Sequence, residues 1–369
     1  MKNIKILSIL LSLFILSCSE QGKVDYDVIH VDFSKSQPLN LAEMVKSISV
    51  IPLETNDSCL IKRIASMQVQ DGMMYINNDR NEVMLFDKHG KFVRSTHSLL
   101  GQGPEDYTGA PSMYIDEKGT IGIYENFIPR IREYDKNLHL TRSYNVNVPD
   151  STRSAMEWRC HAKLTDDVYI INDPKDFYFY SVKQEKVLET IHFDYPDLIG
   201  ITSLFRLARY NGSLYYSHSY PCDTLYRVDS SSLSLQPAVV YDFGGESVDV
   251  SKIDRGMSAD YYMNYLMQTK NIVVMDKFRL QDIDICYFLK DGFYIACQKK
   301  GGKVNVYKQG ENCTLPVPTA VEGNKFYYAA TPGKIDKYID TKLMDMQDIQ
   351  RLKLVNEDDN QVIICYELR

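Results

Sequence analysis

The chain of 369 residues predicts an all-β ring of repeated four-stranded sheets, on three observations. From residue 60 onward, short apolar stretches alternate with Gly, Asp, Asn and Lys turns, at a period of two rather than 3.6. A strand centre recurs at Tyr75, Ile123, Tyr169 and Tyr215, in steps of 48, 46 and 46, and an aromatic follows each one eleven residues later (Phe86, Tyr134, Tyr180, Tyr226). The chain holds 27 Tyr and 14 Phe against one Trp, as expected if aromatics fill equal places in each repeat. A period in the forties with about four strands per unit is the signature of a β-propeller.

The repeat opens six times, at 71–76, 118–124, 166–170, 211–216, 291–295 and 323–328, so six blades are predicted. A lone four-stranded sheet cannot bury both of its faces. Stacking blades around a ring buries each against its neighbour. The strand at 48–54 has no partner in the first blade, and the strand at 361–368 needs one. The two are therefore predicted to pair, closing the last blade from both ends of the chain. The step from Tyr215 to Tyr294 is 79, which leaves about thirty inserted residues. Within them, 258–267 begins with a plausible N-cap and has helical apolar spacing, as does 342–354. Both are read as short helical insertions.

The chain divides into 1–17, a signal peptide, 18–27, a lipidated N-terminus and tether, and 28–369, one propeller domain. Lys2 and Lys5 precede an apolar run from Ile6 to Leu16, too short to span a bilayer and of the length of a secretory core. Ile15-Leu16-Ser17-Cys18 resembles a bacterial lipoprotein box, which implies cleavage before Cys18 and acylation of its thiol. Ser19 resembles an outer-membrane sorting residue, and Glu20 a weak form of the surface-export signal of Bacteroidetes lipoproteins. The expected location is the outer membrane, facing the periplasm or the cell surface. The anchor would attach to the membrane rather than span it.

There are eight cysteines and no C-x-x-C, so neither a redox motif nor zinc spacing is present. Read as a two-residue turn, Lys290-Asp291-Gly292-Phe293 sets Cys286 opposite Cys297. A cross-strand disulfide is open there. The favoured reading is two buried thiols.

Nearly the whole mature chain resembles the six-bladed β-propeller lipoproteins of Bacteroidetes, and more distantly the NHL-type and YncE-like propellers. The resemblance rests on Ile51-Pro52-Leu53-Glu54-Thr55, Phe86-Asp87-Lys88-His89-Gly90-Lys91-Phe92, Gly101-Gln102-Gly103-Pro104-Glu105-Asp106-Tyr107, Asp223-Thr224-Leu225-Tyr226-Arg227 and Tyr241-Asp242-Phe243-Gly244. Asp106 and Asn360-Gln361 depart from the family's usual Gly and Asn-Pro. The resemblance implies the fold and assigns no activity.

A formal net charge of −7 argues against nucleic acid as a partner. No G-x-S-x-G, H-E-x-x-H, P-loop or EF-hand pattern occurs, and the seven histidines stand singly. The loop 101–107 reads first as a tight connector between blades. In a second reading its N–H groups face an anion, which makes Gln102, Gly103, Glu105 and Tyr107 the candidate ligand-binding residues. No metal site and no cofactor are predicted. The expected function is a lipid-anchored, non-enzymatic module for a protein partner or small ligand. Two alternatives stay open. One is a metal-dependent propeller hydrolase or lyase for a sugar or lactone, which would bring calcium into play. The other is an accessory subunit of a surface nutrient-uptake complex.

Overall fold

The structure, a computed structural model, describes residues 26–109, 112–125, 128–147, 159–172, 176–193, 207–218, 222–249 and 259–369. Among these lie six sheets, each with four antiparallel strands, arranged as the blades of a ring. Blade one holds Ile64–Gln70, Met73–Asn78, Val83–Phe86 and Phe92–Ser95. Blade two holds Ser112–Ile115, Ile121–Glu125, Arg130–Tyr134 and Leu140–Asn145. Blade three holds Arg159–Lys163, Val168–Asn172, Asp176–Ser181 and Lys186–His192. Blade four holds Leu207–Tyr210, Ser213–Ser217, Thr224–Asp229 and Ser234–Asp242. Blade five holds Val273–Leu280, Ile283–Leu289, Phe293–Lys299 and Val304–Lys308.

Blade six joins the ends of the chain. Ala320–Glu322 and Lys325–Ala330 are followed by the C-terminal strand Val362–Leu368, and Val45–Pro52 pairs against that strand, with Ile48 opposite Tyr366 and Ile51 opposite Ile363. The closure expected from the sequence is therefore present. Asn360 locks it. Its side chain accepts the Ile61 N–H at 2.7 Å and donates to the carbonyls of Glu54 (2.7 Å) and Cys59 (2.8 Å).

The aromatic repeats pack between blades. Tyr75 and Leu85 of blade one meet Ile121, Ile123 and Tyr134 of blade two. Tyr114 and Tyr124 of blade two meet Tyr169, Tyr178 and Tyr180 of blade three. Phe177 and Phe179 of blade three meet Leu214 and Tyr216 of blade four. Blade six presents Ile363 and Cys365 to Met74 and Phe86 of blade one, which completes the circle. Gly122 is needed where Tyr114 crosses its strand, because a Cβ there would lie 2.0 Å from the phenol ring.

Buried phenols need partners for their hydroxyls. The Tyr287 hydroxyl donates to Pro316 O at 3.0 Å and that of Tyr366 to Tyr338 O at 2.7 Å. The Tyr241 hydroxyl has no hydrogen-bond partner among the described residues, although its side chain is wholly buried. Tyr241→Phe is therefore expected to leave stability unchanged or to raise it by up to about 1 kcal/mol, because an unmet polar group leaves the core. A lower urea midpoint in the variant would contradict this.

Three expectations need correction. The first concerns the turn at 290–292. Leu289 pairs with Phe293, so the loop has three residues and the register moves by one. Cys286 then faces Ala296, and Cys297 faces Ile285. Successive side chains on a strand alternate faces. Cys286 accordingly packs toward blade four and Cys297 toward blade six, and both thiols are free. No disulfide joins them.

The second concerns the N-terminal segment. Asp27–His30 forms a parallel fifth strand on blade four, and Gln37–Pro38 does the same on blade five. The ring thus takes up the chain one residue earlier than the predicted boundary at 28. The segment then runs along the outer edges of blades four, five and six, covering edge strands that would otherwise stay open to pairing. Phe33 pins it, with its ring 4.7 Å from that of Tyr294. Cys18 and the signal peptide lie outside the described residues.

The third concerns 342–354, which is two pieces rather than one helix: a 3-10 turn at Thr341–Leu343 and a helix at Met346–Leu352. Asp345 interrupts the run, because its carboxylate accepts the Asp348 N–H at 2.7 Å and restarts the helix as an N-cap. The other predicted helix is present as Ala259–Gln268.

Candidate functional site

Within each blade, the links after the first and third strands turn on one side of the sheet, and the links after the second and fourth emerge on the other. The first set consists of short turns with exposed charges such as Lys88, Lys118, Lys136 and Lys300. The second set includes the long links between blades beside short ones such as 290–292, and it carries the helices Ala259–Gln268 and Met346–Leu352. It also carries most of the exposed large apolar side chains: Leu60, Ile128, Tyr261, Tyr265, Phe293, Met346 and Leu354. Only Tyr26, Val28 and Val93 among the described residues of that kind lie elsewhere. Exposed large apolar side chains therefore favour the connector side, where they stand among exposed charges such as Lys62, Arg80, Lys342 and Lys353.

The loop 101–107 is one of these connectors. The Asp106 carboxylate accepts the Gly103 N–H at 2.8 Å, and it lies so close that a Cβ at Gly101 would be 2.4 Å from its Oδ2. The acid thus sits in the loop's own concavity, where an external anion would have to go. Tyr107 is fully buried and its hydroxyl donates to Asn81 O at 3.1 Å. Gln102 and Glu105 are exposed, and the Glu105 carbonyl accepts the Tyr134 hydroxyl at 3.0 Å. Arg132 donates to Pro104 O at 3.0 Å and to the Glu125 carboxylate at 2.8 Å, while Glu125 also accepts the Thr108 N–H at 2.9 Å. The loop is clamped from below by this buried ion pair. Of the four residues named for it, the structure leaves Gln102 and Glu105 facing solvent and turns Tyr107 inward.

Other buried charges join blades. Glu133 accepts the hydroxyls of Tyr114 (2.9 Å) and Tyr169 (2.8 Å), and Lys163 lies 3.0 Å away, so one carboxylate links blades two and three. Lys277, in the first strand of blade five, donates to the carbonyls of Cys222 (2.7 Å) and His218 (3.3 Å) of blade four. His218 is buried, stacks on Phe193 with ring centroids 4.0 Å apart, and shares a 2.8 Å hydrogen bond with the Tyr216 hydroxyl. Asp284 is held by Arg279 at 2.8 Å, and Arg279 also reaches Asp27 of the N-terminal segment. Among the described residues, no three His, Cys, Asp or Glu side chains converge as they would around a metal ion. Burial pushes the Cys297 thiol up to about 12 and that of Cys365 up to about 11, so neither is poised as a nucleophile.

A cleft of about 400 Å³ opens on the connector side between blades five and six. Three segments build it: the hairpin tip of blade five, the link 309–317 into blade six, and the turn at Asp336–Tyr338. Its walls are largely aromatic, from Tyr287, Phe288, Tyr294 and Tyr338, with Phe293 half-exposed at the lip. Hydrogen bonds hold the segments together. Gln309 N–H donates to Phe293 O at 2.8 Å, and Thr314 N–H to Lys337 O at 2.9 Å. Tyr294 donates its hydroxyl to Asp291 at 2.5 Å. Gln309 Oε1 lies buried and accepts no hydrogen bond from any described residue. Sequence reading missed this site because its residues come from three separate links. The exposed Phe293 directly after a Gly turn was the one local sign.

Two solved structures share the architecture. A Bacteroides fragilis protein named as an exported protein aligns with a TM-score of 0.73 at 15% identity, over 93% of this chain and 99% of its own. A member of the DUF4221 family from Bacteroides vulgatus aligns with a TM-score of 0.52 at 12% identity, over 88% and 97%. At these identities the likeness shows the fold alone. No curated protein matches the chain. No helix among the described residues is long and apolar enough to cross a membrane. From residue 26 to residue 367 the sequence matches the domain of unknown function DUF4934, and the chain belongs to that family.

Proposed function

We propose that the protein is an outer-membrane lipoprotein, held by acyl chains on Cys18, that binds a protein partner through the connector side of the ring and performs no chemistry of its own. The observation that carries this reading is the asymmetry of the two sides. Seven of the ten exposed large apolar residues among the described ones lie on the connectors, whereas none lies in the short turns opposite. Apolar surface grouped on one side of a soluble domain marks an interaction site. Connectors raised on a rigid ring are the usual place for recognition. The N-terminal sequence supports the anchor, because Lys2, Lys5, the apolar run and Ser17-Cys18 follow the order of a lipoprotein signal.

The test has two parts. Metabolic labelling with a fatty acid should mark the wild type and not Cys18→Ala. A photo-crosslinking residue at Ile128 or Phe293 should give discrete adducts in cells, and the same residue at Lys118 or Lys300 should give none. Equal adducts from both sides would end the binding-face reading. Label retained in Cys18→Ala would end the anchor.

A further inference from the structure

We infer that the ring meets the membrane through the start of its N-terminal strap, where Tyr26 and Val28 lie on blade four, with the turns toward the lipid and the connectors away from it. The inference rests on the proposed acylation of Cys18 and names the surface that the anchored ring presents to phospholipid.

Two side chains break the pattern of the two sides. Among the described residues, only Tyr26, Val28 and Val93 are large, apolar and exposed without lying on a connector. Tyr26 and Val28 stand together, at 41% and 46% exposure, where the strap joins the ring. Successive side chains on a strand alternate faces. Ile29 is buried against blade five and Asp27 pairs with Arg279 of blade five, so Val28 looks the other way. The acid of this strand is thus paired and turned aside, and an uncharged side chain is left outward.

Chain length names the occupant. Tyr26 stands eight residues after Cys18, a stretch that at about 3.6 Å per residue reaches no more than about 29 Å. In a ring of six, blade one lies opposite blade four. Blade four with its strap has five strands and blade one has four, and at about 4.8 Å between strands their outer rims lie more than about 33 Å apart. A ring held by Cys18 therefore cannot stand on blade one, and it keeps Tyr26 and Val28 beside the bilayer. The strap strand Asp27–His30 runs parallel to Ser234–Asp242, which begins at a turn and ends at a connector. The chain accordingly enters blade four from the turn side, and the turn side is the one nearer the anchor.

A lipid surface suits these two residues where a protein does not. A stable protein interface buries about 800 Å² on each partner, more than two side chains supply. A bilayer that already holds the tether needs no such area, because the anchor sets a high local concentration. Tyrosine is enriched at membrane–water interfaces, with its ring against the hydrocarbon and its hydroxyl among the headgroups.

The test places the full acylated chain in phosphatidylcholine vesicles with and without brominated acyl chains, which quench tryptophan on contact. Trp158 is the only tryptophan, so the wild type supplies the background. Tyr26→Trp and Val28→Trp are each expected to add emission that is lost in the brominated vesicles. Val93→Trp, at a similar exposure of 43% on the opposite rim, and Phe293→Trp, on a connector, should add emission that survives. A chain that floats with the vesicles while both strap tryptophans stay unquenched would overturn the contact and leave the anchor standing. Quenching of Val93→Trp or Phe293→Trp as strong as that of Val28→Trp would overturn it too, since the ring would then have no fixed edge on the lipid. A wild-type chain that floats no better than Cys18→Ala would remove the anchor and the contact together.

Discussion

Above about pH 10 the protein is expected to unfold cooperatively, driven by its own tyrosines. Burial holds the phenols of Tyr241, Tyr287 and Tyr366 well above their ordinary value of 10. Burial likewise raises the thiols of Cys286, Cys297 and Cys365 above their ordinary value of 9. In the unfolded chain these groups ionise freely from about pH 9 to 10. In the folded ring they keep their protons. The unfolded state therefore binds fewer protons than the native state over this range, and stability falls as pH rises. It is fully present below about pH 9 and is lost progressively toward the raised values of the folded state. Each group removes about 1.4 kcal/mol per pH unit, so the three phenols alone remove about 4. Against a net stability of about 5–15 kcal/mol, one to three units suffice. Tyrosinate absorbance followed with far-ultraviolet dichroism should show an early class of exposed phenols and a late class that ionises together with the loss of β structure. A single smooth phenol titration near pH 10 with the fold intact would refute the account.

Glu133→Ala should be among the most damaging single substitutions in the ring, at about 3–5 kcal/mol. The carboxylate is nearly inaccessible, and it serves Tyr114, Tyr169 and Lys163 from two blades at once. Its removal leaves the mostly buried Lys163 ammonium with only the exposed Asp166 carboxylate, 3.4 Å away, and takes an acceptor from two buried hydroxyls. Glu133→Gln keeps an acceptor and loses the charge, so it should fall between alanine and the wild type. Arg142, 3.9 Å from Glu133 and with nearly half of its side chain exposed, is the internal control. Arg142→Ala should cost no more than about 1 kcal/mol, as solvent-screened pairs do. Urea unfolding of the three variants checks the order. A Glu133→Ala variant as stable as Arg142→Ala would show that the buried cluster contributes nothing beyond its screened neighbour.

The ring was legible because its physics repeats. Alternating apolar residues with a turn residue at each end recur from blade to blade, an aromatic follows at the same offset in blades one to four, and errors in one copy are outvoted by the others. Closure was legible for a related reason: strands 45–52 and 362–368 each lacked a neighbour in the repeat. Features that occur once were harder. The turn at 290–292 has one residue more than Asp-Gly suggests, and in a sheet that single residue puts Cys286 and Cys297 on opposite faces. The strap strands at 27–30 and 37–38 are four and two residues long, too short to show a period. The second reading of the loop 101–107, as an anion site, arose because Gly-x-Gly leaves amides open, and only the fold shows Asp106 filling that space. The cleft at blades five and six is made by distant links, so no window of sequence contains it.

The pairing of strands from the two ends of the propeller bears on when the ring can form. Ser47 and Glu367 hydrogen-bond across 320 residues of chain, in the blade that completes the circle. Contacts so remote in sequence form late and slowly, because a long stretch must be ordered before they return any free energy. Until the last seven-residue strand arrives, the first blade's Met74 and Phe86 lack the apolar wall that Ile363 and Cys365 provide. A polypeptide built this way stays open while it is being made, a state that would suit threading through a translocation pore if the protein is exported as proposed. Until the ring closes, its unfilled seams would call for a chaperone's protection.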